Sequence, residues 1–183
     1  AISGLAVPQY VYDAGIRTIS DLATGSAVSN FGGEITGIGS GAGLMDTTEN
    51  DVMPSYGLDT DYSLLESGSV TMTEALGAAI DTDEWIVVTA WKPHWMWAKW
   101  DLAFLEQDQD VFWSENDIHI YGGSDLAGDK AGLALFLGNM SFNDEQLADL
   151  LLQVRESSDT VENVAKQWVT NNPTVVESWL TQN

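Results

Sequence analysis

Two segments of the sequence combine residue types that can hold a small ligand. The first is the glycine-rich turn GSGAGLMD, residues 39–46, which lies between a predicted strand and a predicted helix. Glycine lets the backbone approach a ligand, and successive N–H groups at the start of a helix attract an anion. A carboxylate or a phosphate fits such a turn, but a tight strand-to-helix turn that binds nothing has the same spacing.

The second segment is WKPHWMW, residues 91–97, at the end of the apolar run WIVVTAW. Ligands of open α/β sheets bind outside the carboxyl ends of the strands. An indole face at that position holds a quaternary ammonium group by cation–π attraction. We therefore predict that Trp91 contacts a ligand and that the N–H of His94 meets a ligand carboxylate. The neighbouring tryptophans are predicted to be core or interface residues: Trp95, Trp97 and Trp100.

The composition excludes several classes of function. Among 183 residues there are 28 acidic and 6 basic side chains, for a net charge of −22, so nucleic acid and anionic membranes are poor partners. The absence of cysteine excludes disulfides and thiolate catalysis, and two histidines leave little for a Ser-His-Asp or zinc site. We predict no catalytic residue, no metal and no cofactor.

Two other functions are compatible with the same segments. Gly37, Gly39 and Ala42 match a loose dinucleotide-binding pattern, and Asp59 and Asp61 follow at about the distance of a ribose-binding acid. The chain would then be a nucleotide-binding enzyme domain that uses the turn. A carbohydrate-binding module that stacks sugars on the tryptophans is the second alternative.

Alternating strands and helices predict an α/β layer with a mostly parallel sheet, followed by helices. Strands are predicted at residues 2–7, 33–38, 62–65, 85–91 and 118–121. Helices are predicted at residues 19–23, 46–56, 71–80 and 126–137, and three more after residue 140. The predicted N-caps are Ser20, Asp46, Asn172 and two capping boxes, Thr71/Glu74 and Asp159/Glu162.

Three segments resemble the glycine betaine/proline betaine substrate-binding proteins of ABC importers. They are GLAVPQYV (4–11), EITGIGSGAGLM (34–45) and VVTAWKPHWMWAKWDLAFLE (87–106). The resemblance runs over nearly the whole chain, more weakly after Ile118. It implies a type II periplasmic-binding fold, in which two α/β lobes close on a ligand for delivery to a membrane permease. It also implies a periplasmic or extracellular location, with or without a membrane anchor in the full-length protein.

The resemblance assigns roles to particular residues. Trp91 matches one wall of a tryptophan cage around the trimethylammonium group, and Gly43 and Leu44 match backbone donors to the ligand carboxylate. Trp113 and Trp168 match no cage position and are predicted to be structural.

The resemblance also divides the chain. Residues 1–112 correspond to one complete α/β ligand-binding lobe, and 113–183 to the mainly helical C-terminal part of the second lobe. The family's other cage tryptophans and a carboxylate-binding histidine lie in a half-lobe that would precede Ala1. We therefore expect weak binding by this chain alone, and a second chain or self-association that completes the half-lobe.

Overall fold

The computed structural model describes residues 1–109, 111–112 and 117–180. The chain divides into two compact units, which we call the sheet unit and the helical unit. Trp113 lies outside the described residues, so its predicted structural role stays a prediction. The sheet unit comprises Ile2–Lys92 and Trp100–Glu115; the helical unit comprises Ala1, Pro93–Lys99 and Asn116–Asn183.

The sheet unit contains five strands: β1 (Ile2–Pro8), β2 (Glu34–Thr36), β3 (Ser63–Leu65), β4 (Val88–Lys92) and β5 (Leu102–Phe104). They form one sheet in the order β3-β2-β4-β1-β5. Strand β2 pairs in parallel with β3 and β4, whereas β1 is antiparallel to β4 and β5. Only β1 therefore runs against the other strands, which confirms the predicted α/β class with a mostly parallel sheet.

Apolar residues cover both faces of this sheet. Consecutive side chains of a strand point to opposite faces, yet Leu5, Ala6 and Val7 of β1 are all fully buried. On one face they join a set of buried residues that we call the core cluster. Its members are Leu5, Val7, Val11, Ile16, Ile19, Leu22, Ala27, Phe31, Ile35, Leu44, Val52, Met53, Tyr56, Leu58, Tyr62, Val87, Leu105 and Phe112.

Short helices connect the strands. Helix α5 is the longest of them and buries Met72, Thr73, Leu76 and Ala79. The helices are α1 (Gln9–Asp13), α2 (Gly25–Asn30), α3 (Gly43–Thr47), α4 (Met53–Ser55) and α5 (Ser69–Asp81), with a 3₁₀ turn at Ile19–Ala23 and a π-helical turn at Thr48–Val52.

The 3₁₀ turn has its predicted bounds but a different cap. The hydroxyl of Thr18 accepts the N–H of Asp21, and the Asp21 carboxylate accepts the N–H of Thr18 in return. Ser20, the predicted cap, instead donates its hydroxyl to Asp108. The cap must lie just outside the helix in an extended conformation, and Thr18 has that conformation (φ −116°, ψ 162°).

The start of α5 is also earlier than predicted. The helix begins after Gly68, whose carbonyl accepts the N–H of Met72 at 2.9 Å. Thr71 is therefore already inside the helix, and the predicted box of Thr71 with Glu74 is not formed. A side chain within the first turn cannot act as the cap that precedes it.

The helical unit contains six helices in its described residues. The predicted strand at residues 118–121 is wrong: this segment has no regular structure, and Ile118, Ile120 and Tyr121 are exposed. The predicted helix 126–137 is two helices, because the backbone of Lys130 leaves the helical region (φ −141°, ψ 63°). The helices are α6 (Met96–Lys99), α7 (Leu126–Asp129), α8 (Ala131–Asn139), α9 (Asp144–Glu156), α10 (Val161–Asn171) and α11 (Pro173–Leu180).

Helix α10 is capped by Thr160, whose hydroxyl accepts the N–H of Asn163 at 3.3 Å. The predicted box of Asp159 with Glu162 is therefore wrong. Asp159 accepts hydrogen bonds from the N–H of Thr160 and the side-chain amide of Asn163, both at 2.7 Å. Its carboxylate supports the cap from outside the helix. Pro173 does open α11, as predicted.

Four aromatic rings hold the helical unit together, and we call them the aromatic cluster: Phe136, Phe142, Trp168 and Trp179. The two indoles are stacked, with ring centroids 6.0 Å apart and planes 11° from parallel. Phe142 lies 5.2 Å from Trp168 and 5.1 Å from Trp179. Both tryptophans are buried, which accords with the structural role predicted for Trp168. Over the residues that the structure describes, none of the helices is both long and apolar enough to cross a membrane.

Candidate functional site

The glycine turn leaves the sheet at the carboxyl end of β2. Gly37 donates its N–H to the carbonyl of Leu65 at 2.9 Å and is itself buried. A Cβ at this position would collide with the side chain of Met45 and lie 3.1 Å from the Leu65 carbonyl oxygen. Glycine lets the chain pass closely between β3 and α3 without moving the end of the Met45 side chain.

The turn leads into α3, where two backbone donors have no acceptor among the described residues. The N–H groups of Met45 and Asp46 donate to the carbonyl of Ala42. In the described parts of the chain, no acceptor receives the N–H of Gly43 or Leu44. The first N–H groups of a helix have no intrahelical partner, and they carry the positive end of its dipole. Gly43 and Leu44 thus present two adjacent donors that suit a carboxylate.

Asp46 is not the cap of this helix, contrary to prediction. Ala42 occupies the N-cap position with an extended backbone (φ −84°, ψ 134°), and Asp46 lies in the first turn. Its carboxylate instead accepts a hydrogen bond from the side chain of Asn50. The earlier start places Gly43 and Leu44 among the first four positions of a helix, whose N–H groups have no intrahelical partner.

Trp91 lies on the strand next to the glycine turn. In the parallel pairing of β2 with β4, Thr36 is opposite Val88, so the carboxyl ends of both strands reach the same edge of the sheet. Trp91 is half-buried and packs against the core cluster, to which Leu44 also belongs. The strand that carries Trp91 and the turn that leads to the two backbone donors therefore leave the sheet at the same edge.

His94 belongs to the helical unit. Its Nδ1 accepts the N–H of Met96 at 3.3 Å, which places the proton of the neutral ring on Nε2. Burial, reinforced by the charge of Arg155, lowers the pKa of His94 from 6.5 to about 4. The imidazole is thus uncharged near pH 7 and has an N–H donor in its Nε2.

We expect His94 to make the protein less stable as the pH falls from about 6.5 to about 4. In that window the unfolded chain binds a proton at His94 and the folded chain does not, so the proton favours unfolding. The measurement is urea unfolding of the wild type and of His94→Asn between pH 7.5 and 4.5. The asparagine oxygen can replace Nδ1 as acceptor for Met96. Wild type should lose stability relative to the variant at low pH; a pH-independent difference between the two proteins contradicts the assignment.

The other tryptophans near His94 have structural contacts. The guanidinium carbon of Arg155 lies 3.9 Å from the ring centroid of Trp95, so the Arg155 side chain covers one face of the Trp95 indole. Lys99, which also forms a 3.3 Å ion pair with Glu156, lies 5.9 Å from the same ring. In the sheet unit, Trp100 covers Gly77: a Cβ there would come within 2.9 Å of its ring. These contacts agree with the predicted structural roles of Trp95 and Trp100.

The two acids of the dinucleotide alternative lie at the surface of the sheet unit. Asp59 and Asp61 are exposed in the loop before β3. The chain turns before β2 at Gly33, whose φ is +65°, and a Cβ there would lie 2.7 Å from the carbonyl oxygen of Asp61, so a side chain does not fit at this position.

The sequence reasoning missed one feature of the sheet unit, a cavity of about 660 Å³ beside α5. Phe31 and Trp85 form one of its walls, with ring centroids 5.3 Å apart. The sequence signal for this wall is limited to Trp85, an aromatic residue that directly follows Glu84 at the end of an acidic stretch.

Comparison with known proteins identifies relatives. The sequence model of the family described as OpuAC, the substrate-binding domain of the ABC-type glycine betaine transport system, matches residues 1–171. The glycine betaine/carnitine transport binding protein GbuC of Listeria monocytogenes is 36% identical over 145 residues, which are 79% of this chain and 48% of GbuC. The chain thus spans about half the length of this relative.

Two crystal structures have a similar fold. Lactococcal OpuAC, in a closed conformation complexed with glycine betaine, is 29% identical with a TM-score of 0.76, over 98% of this chain and 67% of that chain. The glycine betaine/L-proline-binding protein ProX from Borrelia burgdorferi is 28% identical with a TM-score of 0.76, over 99% of this chain and 66% of that chain. These similarities confirm the predicted type II periplasmic-binding-protein-like fold.

Proposed function

Because the chain belongs to the family of substrate-binding domains of ABC-type glycine betaine transport systems, we propose that it takes part in binding glycine betaine or a related quaternary ammonium osmolyte for uptake. The observation that carries the proposal is the placement of two complementary groups at one edge of the sheet. An aromatic face and a pair of backbone donors there match the two ends of a zwitterion. Family membership favours this function over the nucleotide and carbohydrate alternatives.

In the proposed complex, Trp91 lies against the trimethylammonium group. A fully methylated ammonium has no N–H to donate, so the attraction must come from its charge and from apolar contact with the indole. Trp91 packs against the core cluster on one side, which holds its ring in place at little further entropic cost when the ligand binds.

The carboxylate of the ligand accepts the N–H groups of Gly43 and Leu44. These donors are fixed by the helix that follows them, so no reorganisation is needed on binding. We propose that His94 adds a third donor through Nε2–H. Its lowered pKa keeps the ring neutral, and a neutral donor can meet the carboxylate without a second positive charge beside the trimethylammonium group.

The chain performs no chemistry of its own in this proposal. It delivers the ligand to the permease of an ABC importer, from the periplasmic or extracellular side, with or without a membrane anchor in the full-length protein. Residues 1–112 act as one ligand-binding lobe, and 113–183 as part of a second. Closure of the lobes would enclose the ligand.

We further propose that a second chain or self-association completes the second lobe. The helical unit exposes several large apolar side chains, which typically marks an interaction surface. They include Ile118, Ile120, Tyr121, Leu133 and Leu135.

Titration with glycine betaine tests the proposal. We expect a saturable change of tryptophan fluorescence with glycine betaine and no response to NAD or glucose. Binding by the chain alone should be weak and should strengthen at higher protein concentration, as self-association completes the site. A response to NAD, or none to any quaternary ammonium compound, contradicts the proposed function; tight binding at high dilution contradicts the need for a second chain.

A further inference from the structure

The cavity beside α5 is separate from the proposed betaine site. Glu34 and Thr36, two of its wall residues, alternate in β2 with Ile35 of the core cluster, so they point to the opposite face of the sheet, and Phe31 is the one member of the core cluster that also lines the cavity. The cavity volume of about 660 Å³ falls in the range of about 300–1,000 Å³ that is typical of small-molecule sites. The proposed contacts of Trp91, Gly43 and Leu44 do not use this space.

The charge of the cavity walls is negative. The described residues that line it include Glu34, Glu66 and Glu84 and no lysine, arginine or histidine. None of the three carboxylates forms an ion pair with another described residue. The whole chain has a net charge of −22, and three acids without an ion-pair partner around one concave space add to its attraction for a cation.

The aromatic wall favours an organic cation. Phe31 is buried and Trp85 is half-buried, and both offer an apolar surface beside the acids. Trp85 follows Glu84, whose backbone is anchored on both sides: its carbonyl accepts the hydroxyl of Tyr10 at 2.6 Å, and its N–H donates to Ala79 at 2.9 Å. The wall is therefore built before a ligand arrives.

The positions of the acids indicate the shape of that cation. Nowhere in the described sequence are three acidic or histidine side chains grouped closely enough to hold a metal ion. Glu34 is paired with Ser63 at the start of the parallel ladder, and Glu66 follows the end of β3, so the two acids line the cavity from opposite ends of this strand pair. Two separated positive charges joined by an apolar chain match this arrangement.

We propose that the cavity beside α5 binds a linear aliphatic diamine or polyamine. One ammonium group lies near Glu34 and Glu84, the methylene chain packs along Trp85, and the second ammonium group reaches Glu66. Burial of the methylenes against the indole adds to the two charge contacts. The site makes this substrate-binding domain responsive to a second class of cation.

The test is calorimetric titration of the whole chain with 1,5-diaminopentane, with n-pentylamine as the singly charged match, at about 0.15 M salt so that distant charges are screened. We expect saturable one-to-one binding of the diamine, roughly three- to fivefold tighter than that of the monoamine, the amount that an exposed ion pair contributes. Glu66→Gln should remove this advantage by weakening the diamine alone. Glu34→Gln should weaken both amines.

A control variant distinguishes binding at the cavity from nonspecific attraction of amines to the acidic protein. This control replaces three exposed acids that do not line the cavity, in the variant Glu49→Gln/Glu74→Gln/Glu177→Gln. It should keep wild-type diamine affinity. The triple cavity variant Glu34→Gln/Glu66→Gln/Glu84→Gln should lose diamine binding but keep the fluorescence response to glycine betaine. Non-saturable binding, equal affinity for the two amines, or equal loss in both triple variants overturns the proposal.

Discussion

Replacing Trp91 with alanine is expected to weaken glycine betaine binding by at least about tenfold, because a desolvated cation–π contact contributes about 2 kcal/mol or more. The same substitution removes the apolar surface that would exclude water from the trimethylammonium group. Binding would be followed by calorimetry or by NMR shifts of the Gly43 and Leu44 amides, since the fluorescence of Trp91 itself is lost in the variant.

Two further variants show whether a loss of affinity in Trp91→Ala comes from the aromatic face of Trp91. Trp91→Phe keeps an aromatic face and should recover part of the affinity. Trp97→Ala removes a half-buried indole of the helical unit and should leave the affinity unchanged. Because Trp91 also packs against the core cluster, circular dichroism must show that each variant is folded at the titration temperature. Equal loss of affinity in Trp91→Ala and Trp97→Ala would contradict the assigned role.

Replacing Trp179 with alanine is expected to destabilise the helical unit by roughly 3–5 kcal/mol, the usual cost of truncating a buried tryptophan. Its side chain is 3% exposed and contacts the other three rings of the aromatic cluster, Phe136, Phe142 and Trp168. Since domains are stable by only about 5–15 kcal/mol, a loss of this size removes a large part of the stability and should lower the unfolding midpoint of the helical unit clearly.

The neighbouring residue provides the control for this prediction. Leu180→Ala removes a side chain that is 65% exposed, so it should change stability by no more than about 0.5 kcal/mol. Urea unfolding followed by NMR would resolve the units: amides of α10 and α11 should lose dispersion in Trp179→Ala, while those of β1 keep it. Similar unfolding midpoints for the two variants would show that the aromatic cluster does not hold the unit.

Local signals were enough to predict the strand and the turn that carry the candidate site. The apolar run before Trp91 indicated a buried strand, and the glycines after residue 36 indicated a turn into a helix. Strand direction followed from the alternation of strands and helices, because parallel strands need a crossover. With those directions, the aromatic residue and the glycine turn had to lie at the same edge of the sheet.

Helix starts could not be predicted as well. Ser20, Asp46 and Asp159 are all residue types that cap helices, but the caps are Thr18, Ala42 and Thr160. A cap requires an extended backbone immediately before the first turn, and that conformation depends on where the preceding strand or loop ends. In one case the difference matters for the proposed function, since the start at Gly43 determines which N–H groups remain without a partner among the described residues.

The sequence by itself determined the α/β class, the acidic surface, the glycine turn and the strand that ends in Trp91. These depend on residue type and on spacing along the chain. Only the tertiary structure decided that β2 and β4 are neighbours, that residues 118–121 form no strand, and that three glutamates from separate segments surround one cavity. Such features depend on contacts between residues far apart in the sequence, and a local pattern carries no information about which distant segment will supply the partner.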